Sequence, residues 1–260
     1  MKKILLLTVV CLPLLVTKLA AQGFYVEYKM STVAGSAQSV SGSMKLLSQD
    51  GNSRSAIEMN SPMGGINIVS LSLKATPDKV YLLDEKAKTY SEFPVDTKEE
   101  WSDNASVQYT VEVVGKEKVN GYNSTHVKVS INGRQREDLW TTKEIDGYAD
   151  FSKIKSKYTG KDNLYKALAA KGAEGMPVRI LVKENNQSVQ MDLVKAERRN
   201  NPASLFSISG YSKGSGIPGM PAGMPDMQEM MKQLQNATPE EREEILRRLK
   251  EMYQDAAPHH

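Results

Sequence analysis

The sequence predicts an α+β protein: a large curved antiparallel β-sheet (a half-barrel) with a short helical insertion, plus a C-terminal helical tail. Three observations carry this expectation. Apolar residues alternate with period two from Gln22 to about Val114. The spacing turns helical between Asp146 and Lys171 and then returns to alternation. Turn residues punctuate the alternating part about every 10 to 13 residues, which suits a hairpin-connected meander.

The first strand is Phe24 to Met30, with Phe24, Val26, Tyr28 and Met30 on one face and Glu27 and Lys29 on the other. Ser43 to Leu47, Ser55 to Met59, Ile66 to Leu73, Lys79 to Leu83 and Thr89 to Phe93 follow. The turn segments Gln49-Asp50-Gly51-Asn52, Ser61-Pro62-Met63-Gly64-Gly65, Thr76-Pro77-Asp78 and Asp84-Glu85-Lys86 separate them. A polar break covers Thr97 to Asn104, and strands resume with Val107, Tyr109, Val111 and Val113 on one face. Asn120-Gly121 leads into Thr125 to Ile131, and Asn132-Gly133 is a two-residue hairpin signal before Arg136 to Thr142. Asp146 to Tyr158 and Asn163 to Lys171 carry the helical spacing, closed by Gly172 and Gly175. Val178 to Lys183 and Ser188 to Ala196 return to strand.

The chain divides into four stretches. Residues 1–21 read as a signal peptide: Lys2 and Lys3, an apolar run from Ile4 to Val16, then small residues up to Ala21. That run is too short to span a bilayer, which needs roughly 18 residues. Residues 22–211 form the half-barrel domain, 212–225 a Gly/Pro/Met-rich linker and 226–256 the helical tail. In the tail, Thr238-Pro239-Glu240-Glu241 supplies an N-cap, an N1 proline and a capping-box glutamate. Without Lys2, Lys3 and Lys18 the basic and acidic side chains balance at 31 each, which gives no electrostatic reason for a nucleic-acid partner. Cys11 is the single cysteine and sits inside the leader, preceded by Val10 and not at a lipoprotein junction. The expected product is exported, to the periplasm or beyond, is not a lipoprotein, and has no thiol or disulfide.

Chemistry-bearing residues are sparse. His126 is the only histidine of the body, and it reads as a solvated strand histidine opposite Val127 and Val129. Glu27, Glu58, Glu137 and Asp138 lie on strands where carboxylates belong on the wet face. No calcium loop, zinc ligand set or phosphate-cradling glycine motif is present, so the expectation is no enzyme, no metal and no cofactor. Several strands are apolar on both faces, with Ile66 and Ile68 against Val69, Leu71 and Leu73, and Val80 and Leu82 against Tyr81 and Leu83. Both faces of such a sheet must be covered, by helices and loops or by a ligand.

Short segments resemble a secreted bacterial family known as domain of unknown function 4412. They are Phe24-x-Val26-x-Tyr28, Arg54 on an early strand, Lys79-Val80-Tyr81 and Lys88-Thr89-Tyr90, Glu137-x-x-Trp140-Thr141-Thr142, Gly175-Met176-Pro177-Val178-Arg179 and Leu205 to Tyr211. The chain departs from that pattern at Ser209, where the family often has proline. By strand order the family is similar to periplasmic lipoprotein carriers (LolA-like proteins), in which a curved sheet wraps a helical plug around a cavity for acyl chains. The resemblance implies binding of a lipid or other apolar ligand in the concavity. Phe24, Val26, Tyr28, Ile57, Met59, Ile68, Val80 and Leu82 are the candidate lining, and Arg54 is the position comparable with the carriers' early-strand arginine. The rival expectation is a cell-envelope interaction module. It would capture a protein partner through Met227, Met230, Met231, Leu234, Leu246 and Leu249 of the Met-rich tail.

Overall fold

A computed structural model describes residues 23–33, 39–61, 64–94, 108–159, 162–184 and 187–214, with Glu241, Glu244 and Arg247 beyond them. The leader 1–21, the polar break 97–104 and the tail stripe from Met227 to Leu249 lie outside the described residues.

The strands are β1 (Gly23–Thr32), β2 (Ser41–Gln49), β3 (Asn52–Ser61), β4 (Gly64–Ser72), β5 (Lys79–Asp84), β6 (Thr89–Pro94), β7 (Tyr109–Val119), β8 (Tyr122–Ile131) and β9 (Arg134–Thr142). Helices α1 (Tyr148–Thr159) and α2 (Asp162–Ala170) follow, then β10 (Met176–Glu184), β11 (Gln187–Arg199) and β12 (Ser212–Lys213). They form one open sheet in the order β12-β6-β5-β4-β3-β2-β1-β11-β10-β9-β8-β7. Every pairing is antiparallel except the short parallel contact of β12 with β6. Two meanders are thus joined along β1 and β11.

Turn chemistry sets this meander. Asp50-Gly51, Asn120-Gly121 and Asn132-Gly133 all have positive φ at both positions, between 50° and 89°. That is the hairpin turn whose twist matches the flanking strands, and Asx-Gly is the pair that tolerates it. Gly172, at φ 65°, ends α2: Ala173 donates to the Leu168 carbonyl and Gly172 to the Ala169 carbonyl, both at 2.9 Å.

Residues 95–108 join β6 to β7, which lie near opposite ends of the sheet. Laid flat, that separation is ten strand spacings, about 48 Å. Fourteen residues barely reach so far when fully extended, so bending the sheet relieves the connection. Register shifts, which bend strands, fall at Glu27/Tyr28, Val113/Gly115, Val129/Ser130 and Pro177/Arg179. All of them lie between β1 and β7, and the β2–β6 wing keeps an unbroken register.

Each face has its own core. On the inner face, Phe24, Val26, Tyr28, Met44, Leu46, Val127, Val129 and Leu139 pack under Phe151, Ile154, Leu164 and Leu168 of the helices. On the outer face, Tyr25, Leu47, Val69, Leu71, Tyr81 and Leu83 pack under Phe206. Phe206 belongs to a strap that leaves β11, crosses this face through a 3-10 turn at Ala203–Phe206, and ends as β12. Asn201 anchors the start of the strap by donating to the carbonyls of Phe24 (3.2 Å) and Ser48 (3.0 Å). Lys213 and Lys79 share Glu92 at its far end.

Gly147, at φ 103°, stands just before α1, and a Cβ there would overlap the Phe24 ring. Gly147→Ala is expected to cost about 2–4 kcal/mol, combining left-handed strain with overpacking. Phe206→Ala is expected to cost about 3 kcal/mol through loss of the strap's anchor. Urea-unfolding midpoints check both.

Candidate ligand-binding site

Residue parity along the strands assigns each side chain to a face, and the observed register assembles those faces across the sheet. On the inner face of the β2–β6 wing, Met44 lies opposite Ile57 and Ile57 opposite Ile68. In the next rows Leu82 lies beside Ser70, and Val80 lies between Ser72 and Phe93. Ile57 and Met59 pack against the margin of the helix-covered core, and both are half-buried. Ile68, Val80, Leu82 and Phe93 are half-buried too, but they belong to neither core. The result is an apolar surface, interrupted by Ser70 and Ser72, that begins where the helical cover stops.

The candidate lining therefore separates into three groups. Phe24, Val26 and Tyr28 share the inner face but are 0% exposed beneath the helices. The Tyr28 hydroxyl donates to the Pro177 carbonyl at 2.8 Å, and its ring meets that of Phe151 at 6.2 Å. Burial raises the Tyr28 pKa well above the ordinary phenol value. Ile57, Met59, Ile68, Val80 and Leu82 come together on the surface just described. Arg54 stands on the opposite face, where it donates to Glu85 at 2.6 Å and to the Leu205 carbonyl at 3.3 Å. There it holds the strap, and it does not face the apolar surface.

Phe93 was not among the expected lining residues, although its alternation with Ser91 in Thr89 to Phe93 is a usable signal. The serines were missed as well. Ser53 pairs with both Ser48 and Ser72, and Ser55 pairs with Ser70, so small hydroxyl side chains adjoin across three strands. They lie between the large core residues of β1 and β2 and the apolar pair Val80 and Leu82. Ser53, Ser55 and Ser72 are buried, and the Ser72 hydroxyl has no hydrogen-bond partner among the described residues. A buried hydroxyl left unpaired costs about 1–3 kcal/mol. Asp84 is the one ionisable side chain on this face of β2 to β6 among the described residues. Its carboxylate already accepts the backbone N–H groups of Lys86 (2.9 Å) and Ala87 (2.8 Å).

The outer face of the other wing corrects the reading of His126. It is not a freely solvated histidine. Its Nε2 lies 2.9 Å from Asp138 Oδ1, its Nδ1 3.5 Å from Glu117, and its ring stacks on Trp140 at 4.3 Å. Arg179 stands 5.8 Å from the same indole, and Trp140 Nε1 donates to Glu117. Asp138 also receives Lys183 at 2.7 Å and Gln135 at 2.9 Å. The set ties β7, β8, β9 and β10 together. Glu137 and Asp138 are adjacent on β9 and so point to opposite faces, which leaves them no shared cleft. Among the described residues no group of three or more His, Cys, Asp or Glu could hold a metal ion.

Sheet, strap and helices thus define a two-core β protein with one apolar surface left partly open. The chain belongs to the family described as "Domain of unknown function (DUF4412)", whose model matches residues 27–211. Among curated proteins nothing matches it. Among solved structures it is similar to an uncharacterized conserved protein from Thermus thermophilus, with 8% identity and a TM-score of 0.43. That match covers 75% of this chain and 90% of the other. It is also similar to a LolA superfamily protein from Nitrosomonas europaea, with 11% identity, a TM-score of 0.33 and coverage of 72% and 90%. A third is MucB, in its complex with MucA from Pseudomonas aeruginosa, with 13% identity, a TM-score of 0.36 and coverage of 74% and 58%. Identities and TM-scores this low transfer no function.

Burial pushes the Asp138 carboxyl up, but the hydrogen bonds from Lys183 and His126 outweigh it and hold its pKa below the usual carboxylate value. A depressed carboxylate stabilises the fold above the unfolded-state pKa, about 3.9. That contribution is lost as pH falls through the lower folded-state value. Asp138→Asn is therefore expected to be less stable than wild type at neutral pH and to lose less on going from about pH 4 to pH 2. Thermal unfolding followed across that range checks it.

Proposed function

We propose that this protein is an exported, non-enzymatic binder of a lipid or other apolar ligand. Export follows from the leader pattern of residues 1–21. The ligand lies against the inner face of β3 to β6, along Ile57, Met59, Ile68, Val80, Leu82 and Phe93. The observation that carries the reading is that these residues are half-buried and that, among the described residues of β2 to β6, Asp84 is the one ionisable side chain on their face, where a solvated sheet face would carry many. Concentrated apolar surface of this kind marks binding sites. Phe24, Val26 and Tyr28 form the wall behind it, and the curved sheet supplies the concavity.

The mechanism is desolvation. Each methylene that leaves water contributes roughly 0.8 kcal/mol, so an acyl chain of moderate length gains enough to offset the freedom lost on binding. Stiff β-branched side chains at Ile57, Ile68 and Val80 present a preformed surface, so little ordering is needed when the ligand arrives.

Ile68→Glu places a charge in the middle of the surface on a residue outside either core. It is expected to weaken binding of the apolar dye N-phenyl-1-naphthylamine at least about tenfold, because the carboxylate must be desolvated. The far-UV circular dichroism should be unchanged. Native mass spectrometry of wild type purified from its own host should show a lipid adduct. Equal dye affinity in the variant, together with a ligand-free mass, would sink the proposal.

A further inference from the structure

Resting on that reading, we infer that the ligand is an uncharged amphiphile, whose polar group hydrogen-bonds to the serine floor while its hydrocarbon lies along Ile57, Ile68 and Leu82. Two independent observations point the same way. Ser53, Ser55, Ser70 and Ser72 adjoin on neighbouring strands. One of them, Ser72, is 0% exposed with a hydroxyl that has no hydrogen-bond partner among the described residues.

The polar group must be neutral because β2 to β6 place no cation on this face among the described residues, and Arg198, which β11 places on the same face beside Phe24, is already paired with Asp150 at 2.6 Å. Arg54, Lys45, Glu58, Lys79 and Glu92 all fall at positions facing the strap side of β2 to β6. Asp84, on the inner side, is already held by two backbone N–H groups. A carboxylate or phosphate brought against the serines would lose its hydration with no uncommitted cation of β2 to β6 in return. A hydroxyl or an ester carbonyl needs only what serine offers, one donor and acceptor lone pairs. The serines also shape the site. Their small side chains lie between Phe24, Val26 and Leu46 on one side and Val80, Leu82 and Phe93 on the other. The floor between these two walls is thus made of small hydroxyl side chains.

Isothermal titration of the full chain with 1-monolauroylglycerol and with laurate at pH 8 tests this, since the two share one hydrocarbon and differ in charge. The monoacylglycerol is expected to bind at least about tenfold more tightly than the carboxylate. Ser72→Ala is expected to weaken the monoacylglycerol about 5- to 10-fold while leaving laurate within about twofold. Thermal unfolding confirms that the variant is folded, and Ser70→Ala repeats the measurement at the neighbouring hydroxyl. Equal affinities for the two ligands, or serine variants that bind the monoacylglycerol like wild type, would overturn this inference alone. If N-phenyl-1-naphthylamine also fails to bind wild type, the apolar-ligand reading falls and this inference with it.

Discussion

A sheet with apolar residues on both faces needs two covers, and the placement of those covers organises this protein. The helices cover the inner face from β7 across to β2, while the strap covers the outer face from β1 to β6. The two covers are staggered and overlap at β1 and β2. Phe24, Val26 and Tyr28 of β1 are therefore buried under the helices while Tyr25 is buried under the strap. Arg199 lies 3.7 Å from the centre of the Tyr25 ring, and Asn201 takes two backbone carbonyls of the same region. Charged and polar side chains thus tie down the strap where it starts.

The stagger leaves two areas without a described cover, and their chemistry differs. The outer face of β8 to β10 carries His126, Asp138, Trp140, Arg179 and Lys183, which pair with one another and tolerate water. The inner face of β3 to β6 carries Ile57, Ile68, Val80, Leu82 and Phe93. If open sheet were simply exposed sheet, the second area would resemble the first. That contrast is what supports the proposed ligand site on the inner face of this wing.

Much of the architecture was legible because it is local. The Asx-Gly pairs at 50–51, 120–121 and 132–133 specify hairpins by their own backbone preference. The helical spacing near Leu164 and Leu168 survives in α2. The inner or outer role of Val80 and Leu82 was not legible, since Tyr81 and Leu83 are equally apolar and only the strap, more than 120 residues on, decides between the pairs. The face of Arg54 was legible by parity, since its odd separation from Ile57 puts the two on opposite faces. The partners of His126 needed tertiary knowledge as well. Counting back from Asn132-Gly133 without a shift pairs His126 with Leu139, and the irregularity between Val129 and Ser130 moves it onto Trp140. That single shift converts a surface histidine into part of a stacked cross-strand set.

The same irregularities divide the sheet mechanically. Every register shift lies in the part between β1 and β7 that bends around the helices, whereas β2 to β6 pair without interruption. The wing bearing the apolar surface is therefore the regular one, and the strap braces it from behind through Phe206 and through Lys213 on Glu92. For the proposed ligand, adaptation would then fall to side chains. Met59, unbranched and polarizable, is the compliant member at the margin of the core, while Ile57, Ile68 and Val80 are β-branched and stiff at χ1. On the proposed reading, such a surface would discriminate by shape along its length and yield only at one end, which would give selectivity to the wing and packing stability to the helix-bearing half.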